Sequence, residues 1–255
     1  MAQRFTLHFS HLPTVQRVLY TCALCVLGLG YAFAMIYIYA SHHARDGKPM
    51  LTVQDIVIAY SGSKSGTKLE GALKGPMSGM LPADENLKII AWVRGGASEQ
   101  AYNDSVKPIF DNRCITCHNN RNPHLPSLQD YEGIKKVAEK DTGVDLFTLV
   151  RVSHIHLFGL TFIFFIVASI FIYAYIRHEW LKITIMVIPF ISIIFDVASW
   201  YITKIFEPFA WVVIGSGTLM GICFAFQFFI SIYQMWFYKL PEDVHMRFYC
   251  SVVDE

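Results

Sequence analysis

The sequence predicts a mainly α-helical membrane protein: four spanning helices, with a small polar helical domain inserted between the first and the second. Three observations predict this. Of the 255 residues, 54% are hydrophobic and only 16% are charged, which is too apolar for an ordinary water-soluble domain. Long apolar runs at about 18–40, 152–176, 183–203 and 209–238 each meet the ~20 residues needed to cross ~30 Å of hydrocarbon. The stretch between the first two runs, about 42–148, holds most of the charges and prolines and enough chain for one small domain. The expected division is 1–41 for the N-terminus and first span, 42–148 for the polar domain, 149–240 for spans two to four and 241–255 for a tail.

The first run, Val18 to Ala40, is followed by small residues that resemble a cleavage point. It is longer than the 7–15 residues of a secretion-signal core, so it reads as an uncleaved anchor. Positive charge in short flanks marks the cytoplasmic side, whereas long domains translocate regardless of charge. Arg4 and Arg17 precede the first span, Arg177 and Lys182 bracket the turn between the second and third, and Lys239 and Arg247 follow the fourth. The turn between the third and fourth carries only Lys204 against Glu207. Both termini are therefore expected in the cytoplasm, with the polar domain outside, in a multi-pass protein of a bacterial inner membrane. A net charge of +1 speaks for neither nucleic acid nor an acidic partner.

Within the polar stretch stands Cys114-Ile115-Thr116-Cys117-His118, the CxxCH arrangement in which two thiols add to haem vinyl groups and the adjacent histidine ligates the iron. Two intervening residues let both sulfurs reach one porphyrin edge, and the next residue swings beneath the ring. Half of a zinc site is the competing reading; zinc wants two further ligands at similar spacing, and the polar stretch has no other cysteine. One covalent haem c is expected.

The flanking sequence AYNDSVKPIFDNRCITCH, followed by a second helix near LQDYEGIKKVAE, resembles a monohaem c-type cytochrome domain over about residues 100–140. The resemblance implies electron transfer through haem and assigns Cys114, Cys117 and His118 to it, with His118 as axial ligand. Simpler members of that family place a distal methionine downstream, yet no methionine occurs here between His118 and Met186. Upstream, GMLPADENLKIIAWVRGGA looks like the end of such a domain, where a ligand methionine precedes a closing helix. The helix order is then permuted, or the segment is a remnant of a second unit. Candidates for the sixth ligand are Met80, Met77, His154, His156 and His124, then His42 and His43, or an open position.

His154 and His156 lie just inside the outer end of the second span, and an ionisable side chain at that depth is a functional candidate. At ~1.5 Å per residue, His156, Asp196 and Ser216 all fall roughly 10 Å inside. Asp196 is the carboxylate deep in a span, with Trp200 one turn away and the small residues GSGT at 215–218 opposite. A quinone pocket is one expectation, with His154, His156 and Asp196 as proton acceptors. A haem b within the bundle is not expected, because the first, third and fourth apolar runs hold no histidine.

Cys22 and Cys25 read as packing residues, Gln227 as an interhelical hydrogen bond, and Trp180, Trp211, Trp236, Tyr201 and Tyr238 as interfacial anchors. The expected function is electron transfer between a membrane donor, with quinol a candidate, and a periplasmic redox protein; whether the chain is itself an oxidoreductase subunit stays open. Two other readings are an accessory haem subunit docked on other membrane subunits of a respiratory or photosynthetic complex, and a haem-based redox or gas sensor.

Overall fold

The computed structural model describes residues 7–63, 66–75, 77–123 and 125–241. The described chain is helical throughout, and its only strand-type pairing is an isolated bridge between Thr67 and Lys140. Four helices are long and apolar enough to cross a membrane: Thr14–His42, Leu146–Phe171, Glu179–Thr203 and a fourth whose α-helical part is Ala210–Trp236. The chain is a multi-pass membrane protein.

The second span starts and stops earlier than its apolar run suggests. Asp145 accepts the backbone N–H of Thr148 at 2.9 Å, capping the helix six residues before the expected start. At the other end the helix closes at Phe171, and the ammonium of Lys182 donates to the carbonyls of Ile172 and of Ala174, the latter at 2.9 Å. A flanking lysine satisfies carbonyls there that lipid cannot.

Two compact units make up the chain, one from the described residues of 1–36, 150–199 and 211–255, the other from 37–149 and 200–210. The bundle unit packs Leu24 of the first span, Phe164, Val167 and Phe171 of the second, Ile193 of the third, and Met220 and Phe224 of the fourth around one apolar core. Tyr31 stacks on Phe224 with ring centroids 4.4 Å apart. Pro189 interrupts the third span, and lacking an N–H it leaves the carbonyl four residues earlier, Ile185, without its helical donor. The side-chain amide of Gln227 donates to that carbonyl from the fourth span at 3.1 Å. This is the interhelical bond expected of Gln227.

The polar unit is built of short helices with strong start signals. Thr52 with Asp55 and Thr67 with Glu70 form capping boxes for Val53–Ser61 and Lys68–Lys74, and Asp130 caps Tyr131–Ala138. Helix Ala83–Arg94 lies beside a longer helical run, 99–114, which contains two π-type stretches, Tyr102–Val106 and Phe110–Cys114. The aromatic rings of Trp92, Tyr102, Phe110 and Tyr131 pack between them, with Leu69, Ile89, Val106 and Ile134 completing the core. The end of helix Val53–Ser61 meets the segment 140–144, where the Val144 N–H donates to the Ala59 carbonyl at 3.0 Å. Gly62 and Gly143 adopt positive φ, and a Cβ on Gly143 would sit 2.2 Å from the carbonyl oxygen of Tyr60.

Candidate functional site

The run 99–114 buries Val106, Ile109 and Phe110 and delivers Cys114 to the edge of the core. The chain then makes one tight turn: the carbonyl of Cys114 accepts the N–H of Cys117 at 3.2 Å and that of His118 at 2.9 Å. His118 therefore comes round one turn beyond Cys114, with both cysteines as free thiols. Its ring is fixed from behind, because Nδ1 donates to the carbonyl oxygen of Pro126 at 3.0 Å. A carbonyl only accepts, so Nδ1 carries the proton and Nε2 presents its lone pair. The backbone N–H of Leu128 returns to the His118 carbonyl at 3.0 Å and holds the loop in place. Pro126 escaped the sequence reading, although a proline shortly after a CxxCH motif is a visible signal.

Burial, and then the carboxylate of Glu85, push the Cys114 thiol up to about 11. Glu85 also binds Arg113, at 3.1 Å to Nε. This pair brings the start of helix Ala83–Arg94 to the Cys114 end of the run 99–114. Met80 lies five residues before Glu85, in a turn closed by the Met80 N–H to the Met77 carbonyl at 3.0 Å. The Met77–Met80 turn precedes that helix start, with Met80 within about 17 Å of extended chain of Glu85. Met77 is half-buried, whereas Met80 is 71% exposed.

The remaining ligand candidates are scattered. His124 lies outside the described residues. His42 and His43 sit at the end of the first span, where Nδ1 of each donates to the carbonyl four residues earlier, Ile38 and Tyr39. His154 is exposed on the second span, edge-on to Phe158. His156 is half-buried, and its Nδ1 donates to the Val152 carbonyl at 3.0 Å.

Asp196 is 7% exposed and shares a face of the third span with the buried Ser192 and Ser199, whose hydroxyl donates to the Asp196 carbonyl. Tyr31 of the first span faces the fourth, its phenol oxygen 3.3 Å from where a Cβ on Gly221 would stand. Tyr31 was missed from sequence because interfacial tyrosines are common; its depth, eleven residues from the end of the helix, was the available signal. Ser216 is buried on the fourth span, and Trp200 stacks on Tyr60 in the polar unit.

The donor set fits a covalently attached haem. Two thiols and an imidazole nitrogen stand on one turn, and the imidazole is held in the tautomer that ligation needs. Among the described residues no group of three or more His, Cys, Asp or Glu is placed to hold a metal ion by itself.

Residues 139–242 match a family model described as a transmembrane helical domain, Aq_1264_TM. The match takes in spans two to four, less than half of the chain. No curated protein and no solved structure matches the chain.

Proposed function

We propose that this chain is a membrane-anchored monohaem c-type cytochrome. It passes electrons from a donor in a bacterial inner membrane to a periplasmic redox protein, with the polar unit outside and both termini in the cytoplasm. The observation that carries this reading is the His118 ring, whose Nδ1–H is held by Pro126 one turn beyond two free thiols. A haem attached there supplies a one-electron iron centre. Cys114 and Cys117 would tether it, His118 Nε2 would ligate the iron, and the Pro126 carbonyl keeps the imidazole oriented. Met80 is the sixth-position donor this reading favours, with Met77 next. The Met80 thioether is 71% exposed and so is not committed to the core.

Quinol is the favoured donor, since it releases protons and electrons together and Asp196 offers a carboxylate buried in the bundle to receive protons. His156 remains a second acceptor, and His154 faces away from the bundle interior.

The test is expression in a host that attaches c-type haem. One haem per chain should survive denaturation and show peroxidase activity on a gel. Cys114→Ala with Cys117→Ala should abolish it, and Met80→Ala should remove the near-infrared sulfur-to-iron band while leaving attachment intact. A wild-type chain that carries no covalent haem under those conditions sinks the reading.

A further inference from the structure

We propose that the bundle holds a water-binding site in its interior, formed by the Gln227 amide oxygen, the Ser231 hydroxyl and the Ile185 carbonyl. Gln227, Ser231 and Gln234 follow one another at i, i+4 and i+7 on the fourth span and therefore share one face. All three are buried, Gln227 and Ser231 completely.

Gln234 is fully engaged: its oxygen accepts the Tyr175 N–H at 2.6 Å and faces His8 Nε2 at 3.2 Å, and its amide donates to the Tyr175 carbonyl at 2.8 Å. The next two residues along that face are not. Gln227 gives its amide to Ile185, but its oxygen, Oε1, has no partner, and neither does Ser231 Oγ.

In lipid there is no bulk solvent for such atoms to turn to. The orphaned pair calls for a group that donates to Oε1 and exchanges a hydrogen bond with Oγ. Water does both, and the Ile185 carbonyl, deprived of its helical donor by Pro189, offers a third bond through its second lone pair. Three partners are what a buried protein water typically has. An apolar occupant would leave both atoms unsatisfied. The hydrated site thus sits at the Pro189 interruption, next to the buried polar group of Gln234 and His8.

The experiment is water-edited solid-state NMR on the full chain in lipid bilayers. It follows magnetisation from water protons to the Gln227 side-chain amide, with the fully buried Phe164 and Val167 as dry references. Gln227 should build up several-fold faster than either reference. Ser231→Ala should slow that build-up while the Gln234 signals keep their position and rate, which also reports that the bundle is intact. A Gln227 build-up as slow as that of Val167 overturns the proposal. So does a fast one that Ser231→Ala leaves unchanged.

Discussion

At the scale of single residues, the CxxCH turn contains two cysteines in different surroundings. Cys114 is packed against the core, while Cys117 is exposed. With the Cys114 thiol at about 11, its nucleophilic thiolate is scarce at neutral pH and accumulates only as pH rises towards that value. In the haem-free chain, alkylation of Cys114 should therefore climb steadily with pH up to about 11. Glu85→Gln should move that rise to lower pH, because it removes the negative charge that disfavours the thiolate. Mass-spectrometric quantification of the alkylated peptide checks both. A neutral-pH plateau would contradict the burial of Cys114.

At the scale of elements, the third and fourth spans are joined by a repair. Pro189 removes one backbone bond, and the Gln227 amide replaces it from the neighbouring helix. Gln227→Leu should destabilise the bundle by about 0.5–1.5 kcal/mol, the range that double-mutant cycles give for polar contacts between membrane helices. The loss should shrink in a Pro189→Ala background, where Ile185 regains its helical donor. Unfolding from mixed micelles, arranged as a double-mutant cycle, measures the coupling.

The existence of these spans was legible because an uncharged run of about 20 apolar residues matches the thickness of a bilayer and exceeds what most buried core helices need. The start of the second was not: Asp145 caps a helix whose apolar first turn, Leu146 to Leu149, is cut off from the long run by Arg151. Hydropathy reports where lipid is tolerated, whereas capping decides where the backbone begins to coil.

At the scale of the whole molecule, chain segments far apart in sequence meet through small numbers of strong contacts. Lys204, which in sequence is only one charge in the turn between the third and fourth spans, places its ammonium on three carbonyls: Tyr60 at 2.9 Å, Thr142 at 3.1 Å and Val144 at 2.6 Å. It thereby ties the end of helix Val53–Ser61 to the segment 140–144. Lys204→Met keeps the stem but strips the donors, and should cost about 2 kcal/mol for the charge-assisted bonds lost. Proteolysis within 140–144 under native conditions should accelerate accordingly; unchanged cleavage would show that this segment holds without it.

The sequence by itself determined the membrane class, the four spans, the polar insertion and the Cys114, Cys117 and His118 motif, because each depends on local pattern: run length, composition or fixed spacing. Only the tertiary structure decided the rest. It set which imidazole nitrogen of His118 faces the Pro126 carbonyl, that Glu85 of helix Ala83–Arg94 pairs with Arg113 beside Cys114, and that Asp196 is buried while His154 is exposed. It also paired Gln227 with the carbonyl that Pro189 orphans. The physical reason is that hydrogen-bond partners and electrostatic neighbours are fixed by how helices and loops meet in space, and a pattern along one strand of sequence carries no record of what faces it.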